Sequence, residues 1–344
     1  MILLLSAEAF ACGAFFGPEP VISDSQVVAF RPGSGSTEVE YRVAYAGDAE
    51  DFGWVIPVPG DVEEVEEGDP DALMDAVQDS EPSIEHYYDE PRFGCSGKGD
   101  DLTDSSGGMG TDSGLVEGSG SAGIFEWTAL SGEESEPLIS WLDERGFVNG
   151  DTSAIEDYVA EGGWTFIALS MTQTPDGAGD SGWGHTMPQA AVRITYAGDD
   201  IRYPAHMTST SGAERQTTTI LVFGDERATV SGWSSAKVGD LFGDIDDDPA
   251  ELYADRLWDL GGDSPGYGLV YAQAYRGEWL TRFDAMALST AHTEDAVFAI
   301  DGGTDPVSSS IQLYEKERDR DKAENALFLL PLGLLGLIGL RRRQ

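Results

Sequence analysis

A seven-residue string recurs with two changes, Arg42-Val43-Ala44-Tyr45-Ala46-Gly47-Asp48 and Arg193-Ile194-Thr195-Tyr196-Ala197-Gly198-Asp199. Each copy closes a stretch in which apolar side chains alternate with others: Val39, Tyr41, Val43 and Tyr45 in the first, Val192, Ile194 and Tyr196 in the second. Period-two alternation ending in Ala-Gly-Asp specifies a strand that runs into a turn. Each copy is followed by a second extended stretch carrying proline, Phe52 to Pro59 and Ile201 to Pro204. Proline confines such stretches to sheet edges, strand ends or bulges. The pattern predicts two similar β-hairpins, a duplicated unit in a β-rich body.

Helices punctuate the strands. Asp69-Pro70 has the cap-then-proline form of a helix start, and Leu73, Ala76 and Val77 give the run one apolar face. A second helix is predicted over Glu136–Leu142, ending before Gly146, and a third from about Thr152 to Ala160 with Ile155, Tyr158 and Val159 on one face. Trp164 to Leu169 is apolar but for Thr165 and reads as a buried strand. Further strands are expected at Thr217–Phe223, Leu269–Tyr275 and Val297–Ile300, with a helix around Pro249–Leu260. The fold class is therefore α+β: a β-rich body of antiparallel hairpins with a few packed helices. A Gly/Ser/Asp-rich tract over 97–123 has almost no apolar content and is expected to be a flexible insertion.

The two ends speak of a membrane. Ala326 to Leu340 is an uncharged, apolar run followed by Arg341, Arg342, Arg343 and Gln344. Arginines beside an apolar run hold that flank in the cytoplasm, which places everything before it outside. Fifteen helical residues reach about 22 Å, against a hydrocarbon core of roughly 30 Å, so snorkelling arginines or local thinning must cover the difference. A buried core helix is the competing reading by length; the terminal position, the arginines and the polar stretch Tyr314–Asn325 favour a transmembrane or sorting helix. At the other end, Leu3-Leu4-Leu5 leads to Ala9-Phe10-Ala11 before Cys12, the small-x-small form of a signal-peptidase site. Residues 1–11 read as a remnant signal peptide whose start lies upstream. The expected organisation is an exported body over 12–300, a linker and charged stalk over 301–325, the membrane helix over 326–340 and a cytoplasmic basic tail over 341–344.

Charge removes whole classes of partner. Asp and Glu number 63 against 20 Lys and Arg, a formal net charge of −43. Such a field repels nucleic acid and anionic lipid surfaces while favouring cations and solubility. The acids are spread along the whole chain, which suits a salt-adapted surface. With 40% hydrophobic residues and eight tryptophans the chain still has enough apolar mass for a sizeable core. Two cysteines, Cys12 and Cys95, are expected to form one disulfide after export. Acylation of Cys12 as a lipoprotein is the competing reading and would exclude that bond.

No residue rises to a catalytic assignment. Gly179-Asp180-Ser181-Gly182 looks like the nucleophile loop of a serine protease, but Trp183 replaces the next glycine, and the only upstream histidine is His86, in Glu85-His86-Tyr87-Tyr88. Asp244, Asp246 and Asp248 alternate as calcium ligands do, yet the sixth and twelfth positions counted from Asp244 are Pro249 and Asp255 instead of Gly and Glu. They stand as weak calcium candidates against a solvated acidic loop. His86, His185, His206 and His292 show no metal-ligand spacing, and neither Lys98 nor Lys237 sits in a phosphate loop. Tyr87-Tyr88, Trp54, Trp164 and Trp279 suit a glycan-binding surface or, more simply, core and sheet faces.

Several stretches together resemble the secreted bacterial family known as domain of unknown function 2330. They are Ala11 to Phe16, Gly47 to Pro59, Leu138 to Gly146, Tyr158-Val159-Ala160-Glu161-Gly162 through Leu169, and Trp279 to Phe283. The resemblance implies an exported, often membrane-tethered protein and brings no activity, ligand or catalytic residue. The family's start often carries a second cysteine shortly after the first; Gly17 stands there in this chain, which leaves Cys95 as the partner for Cys12. The expected function is a non-enzymatic envelope protein, structural or binding an envelope or extracellular protein or glycan, with no cofactor beyond the calcium candidates. An envelope hydrolase with a carboxylate pair and a calcium-dependent binding module are the alternatives.

Overall fold

The structure, a computed structural model, describes residues 14–16, 25–44, 53–81, 83–87, 115–147, 152–172, 189–208, 215–231, 268–288, 293–307 and 310–314. It is β-rich, with few helices. Its largest sheet has seven strands in the order β14 (Gly268–Tyr275), β15 (Glu278–Leu288), β12 (Arg215–Gly224), β2 (Ser25–Pro32), β3 (Ser36–Ala44), β10 (Gln189–Ala197) and β5 (Val62–Glu67). All neighbours are antiparallel except β12 and β2. A five-stranded antiparallel sheet runs β1 (Ala14–Phe16), β4 (Gly53–Pro59), β9 (Trp164–Met171), β8 (Phe125–Ser131), β7 (Val116–Ala122). A three-stranded sheet orders β11 (Ile201–Tyr203), β16 (Ala296–Ile300) and β13 (Ala228–Ser231), and β6 (Ser83–Tyr87) pairs in parallel with β17 (Ser310–Tyr314).

Side-chain alternation sorts these sheets into layers. Val28, Phe30, Tyr41, Ile194, Ile220 and Val222 from the seven-stranded sheet meet Trp54, Ile56, Phe125, Ile167 and Leu169 from the five-stranded sheet in one apolar cluster. Tyr203, Val230 and Phe298 of the three-stranded sheet pack into the same cluster. Neighbouring positions on the same strands point outward to helices. Val55, Phe166 and Ala168 lie under α2 (Ser135–Asp143) and α3 (Ser153–Glu161), meeting Leu138, Leu142, Ile155 and Tyr158. Val27, Ala29, Leu221 and Leu280 lie under α1 (Pro70–Asp79), meeting Leu73, Ala76 and Val77. Both faces of β4 and β9 are thus covered, which is why they read as continuous apolar runs instead of alternating ones.

Local signals account for the helices. The Asp69 side chain accepts from the Asp71 and Ala72 N–H groups at 3.1 and 2.9 Å, with Pro70 in the first turn. At the other end of α1 the Ser80 hydroxyl folds back on Ala76 O at 2.6 Å. Past α2, Gly146 adopts φ 76°, and the Phe147 N–H returns to Leu142 O at 2.8 Å, closing the helix with a left-handed residue. The prolines of β4 fit the strand because the Gly60 N–H points to Gly163 O, on the β9 side. By alternation Pro57 and Pro59 face the opposite edge, beyond the three residues that β1 covers.

Three expectations change. The two repeat copies do not form hairpins: β4 leaves for the five-stranded sheet and β11 for the three-stranded one. Instead β3 and β10 pair with each other, with Tyr41 opposite Val192. Those two positions are equivalent in the repeat, so the duplicated strands are related by a local two-fold within one sheet. The tract 97–123 ends in a strand, β7, because its glycines make room for an indole; a Cβ at Gly120 would stand 3.1 Å from Trp127 Nε1. Order also continues past residue 300. Val307 exchanges two backbone hydrogen bonds of 2.8 Å with Ala272, and β17 lies within what was expected to be linker and stalk. No helix among the described residues is long and apolar enough to cross a membrane, and residues 326–340 lie outside them, as does the helix expected over Pro249–Leu260.

Candidate functional site

Most of the residues singled out from sequence lie outside the described ones: Cys12, Cys95, Asp244, Asp246, Asp248, the Gly179–Gly182 string, Tyr88, His185 and His292. His86 and Tyr87 fall in β6. Trp54 and Trp164 are core residues at 1% and 5% exposure, and Trp279 packs against the central cluster. No group of three or more His, Cys, Asp or Glu among the described residues is arranged to hold a metal ion. Among the described residues, a polar junction lies where α3 meets α4 (Ala205–Thr208) and the residue leading into β16.

Tyr158 is central there. It sits on the buried face of α3, its ring edge-on to Trp164 at 4.6 Å and to Phe166 at 6.3 Å. Its hydroxyl donates to Asp295 Oδ1 at 2.6 Å and accepts from the Met207 N–H at 3.2 Å. Asp295 Oδ1 also accepts the His206 N–H at 3.0 Å. One carboxylate therefore ties the four-residue α4 to α3 and to the entry of β16. Burial pushes the Asp295 carboxyl up to about 6, against the opposing pull of the Tyr158 hydroxyl, the His206 N–H and the Arg202 and His206 charges. Burial, followed by the Asp295 charge, raises Tyr158 well above the ordinary tyrosine value.

The rim carries charges that close on each other. His206 Nε2 lies 3.0 Å from Asp157 Oδ2. Arg202 reaches Glu161 at 2.6 Å and Asp200 at 3.1 Å, with its guanidinium 5.2 Å from the centre of the Trp164 ring. The Trp164 Nε1–H donates to the second oxygen of Glu161 at 3.3 Å. Chemically, a carboxyl near 6 beside a tyrosine is the stuff of proton transfer. Here the tyrosine's proton is already directed at that carboxylate, and both groups bind backbone N–H donors of α4. The arrangement holds three elements together.

Two further clusters act likewise. Arg282 and Asp284, 6% and 2% exposed, form two 2.9 Å contacts; Arg282 also donates to Val77 O at the end of α1, and the Thr219 hydroxyl donates to Asp284. On the outer face of the same sheet Arg193 reaches Glu40 Oε2 at 3.2 Å, and the other Glu40 oxygen accepts the Asp69 N–H. Burial raises Glu40 above its ordinary value despite Arg193. The local two-fold makes the asymmetry plain: Arg193 stands opposite Glu40, whereas its repeat equivalent Arg42 stands opposite Ala191. Burial lowers Arg42, whose Nε has no hydrogen-bond partner among the described residues.

Residues 6–297 match the family described as "Uncharacterized protein conserved in bacteria (DUF2330)". The chain belongs to that family. The match runs from before β1 to within β16, so DUF2330 takes in the helical layer, both large sheets and the Tyr158–Asp295 junction. No curated protein matches the chain. Among solved structures, baculovirus P35 is 9% identical, with 86% of this chain and 98% of that one covered at a TM-score of 0.35. Two structures of a mutated baculovirus P35 after caspase cleavage follow. One is 8% identical, covering 84% and 98% at 0.32; the other is 7% identical, covering 82% and 97% at 0.29. Likeness at this level carries nothing over to the DUF2330 chain.

Proposed function

We propose that this protein is an exported component of the bacterial cell envelope, tethered to the membrane by residues 326–340 with its body outside, and that the body is structural or binds a partner instead of catalysing a reaction. The observation that carries the tether is the apolar run Ala326–Leu340 bounded by Arg341, Arg342 and Arg343. The non-catalytic reading is supported by how the body uses its charged groups. Asp295, Asp284 and Glu40 each hold one element to another. A partner of this body carries positive or neutral surface, since a net charge of −43 repels anionic ones.

The test uses the native chain in its own envelope. Carbonate extraction of membranes should leave it in the pellet, and trypsin added to spheroplasts should release the body by cutting among Lys316, Arg318, Arg320 and Lys322. Extraction into the supernatant would remove the tether. Cleavage only after lysis would remove export. Intact mass with and without reductant reports the remaining points: a chain starting at Cys12, two hydrogens lighter before reduction than after it, has the Cys12–Cys95 disulfide, whereas an acylated Cys12 makes it a lipoprotein.

A further inference from the structure

The inner face of the seven-stranded sheet is apolar along most of its length, and it changes character near the start of β2 and β12. Val28 and Phe30 share their face of β2 with Gln26, and Ile220 and Val222 share theirs of β12 with Thr218. Thr218 and Gln26 stand side by side in the parallel register of these strands, and Ala285 flanks Thr218 on the other side. Both polar side chains are almost fully enclosed, Gln26 at 5% exposure and Thr218 at 1%. The Tyr203 hydroxyl, from the three-stranded sheet across the core, donates to Gln26 Oε1 at 3.0 Å. Gln26 Nε2 and Thr218 Oγ1 have no hydrogen-bond partner among the described residues.

Reorienting groups does not remove the deficit. Turning the Gln26 amide over would give Tyr203 a donor instead of an acceptor, and would leave Oε1 unpaired in place of Nε2. Rotating the Thr218 hydroxyl changes where its proton points and supplies no partner. Two buried polar atoms on neighbouring residues of one sheet face thus call for the same kind of guest. It must accept from an amide N–H, exchange a hydrogen bond with a hydroxyl, and fit between neighbouring strands. It must also be neutral, because Val28, Ile220 and Ala285 offer a charge nothing.

We propose that Gln26 and Thr218, with Tyr203 fixing the Gln26 amide, form an internal binding site for one small neutral polar molecule, a water. Water meets the hydrogen-bonding and charge requirements and is the smallest molecule that does, and buried waters characteristically bridge such orphaned groups with two to four hydrogen bonds. The site joins β2 to β12 within the large sheet, and the Tyr203 hydroxyl ties Gln26 directly to β11 across the core.

The experiment compares Thr218→Val with the wild type in the full chain, because valine keeps the shape and removes only the hydroxyl. With a bridging water the substitution should raise the unfolding equilibrium constant about fivefold and lower the urea midpoint, the loss typical of one hydrogen bond. An unchanged or higher midpoint would overturn the proposal, since removing an unpaired hydroxyl is neutral or stabilising. Should the variant fail to fold, water-selective NMR on the wild type decides. A long-lived water cross-peak to the Gln26 side-chain amide is expected, and its absence sinks the site.

Discussion

Replacing Asp295 by asparagine separates the charge of this carboxyl from its shape. Asparagine keeps an oxygen for the Tyr158 hydroxyl and the His206 N–H, the two donors at 2.6 and 3.0 Å, but it cannot ionise. The native carboxyl is pushed up to about 6 from 3.8, so between those values the folded chain holds a proton that the unfolded chain releases. The stabilisation is fully present below the unfolded value and is lost as pH rises through the folded one. Linkage between about 6 and 3.8 gives roughly 1.4 kcal/mol of added wild-type stability on going from about pH 7.5 to about pH 5, and about 1 kcal/mol more by about pH 4. Other acids titrate over the same range, so the quantity to read at each pH is the urea stability of the wild type minus that of the Asp295→Asn variant. That difference should favour the wild type progressively more as pH falls. Tyr158→Phe in the wild-type background should steepen it, because the hydroxyl that steadies the charged form is gone. A difference that is flat from about pH 7.5 to about pH 5 would refute the burial argument. One that runs the other way would show that the hydrogen bonds outweigh desolvation.

Two further perturbations probe the layers. Asp284→Ala leaves Arg282 buried without its carboxylate and should cost about 3–5 kcal/mol in urea unfolding; Arg282→Met combined with Asp284→Leu should cost less than half of that, because it removes both charges. Equal losses in the single and double variants would assign the stabilisation to something other than the pair. Gly120→Val drives a side chain into Trp127, whose indole atoms lie 3.1–3.2 Å from the Cβ position. It should cost about 1–3 kcal/mol and shift Trp127 emission to the red, and an unperturbed spectrum would mean that the indole does not rest on β7.

The parts of the fold legible in the sequence are those whose physics is local. Asp69-Pro70 announced α1 because a cap and a proline act within one turn, and Gly146 closed α2 for the same reason. The run Trp164–Leu169 announced β9 because a strand covered on both faces has no polar side to show. What escaped depended on distant contacts. β7 has the composition of a flexible tract, and only Trp127 on the next strand makes its glycines an asset. The repeat was visible but its pairing was not, since alternation fixes which face a residue takes and says nothing of which strand lies beside it.

The polar junctions lie further still from sequence reasoning. Tyr158 and Asp295 are 137 residues apart, Arg282 and Val77 are 205 apart, and neither pair belongs to any spacing that chemistry would single out. A signal was nonetheless present for Tyr158. It shares the apolar face of α3 with Ile155, and a tyrosine on such a face buries a hydroxyl that must find an acceptor. The same argument applies to Tyr203, which shares the buried face of its strand with Ile201 and whose acceptor is Gln26. In a chain with 63 carboxylates, proximity to an acid is unremarkable on the surface; enclosure is what distinguishes Asp295 and Asp284. Asp295 accepts hydrogen bonds from α3 and α4, and Asp284 holds the Arg282 guanidinium that reaches Val77 O of α1, so removing either should loosen a joint between layers before it touches the sheets themselves. Among the described elements, α4 is only four residues long and is held through Asp295 and Tyr158, so it is expected to open before the sheets do.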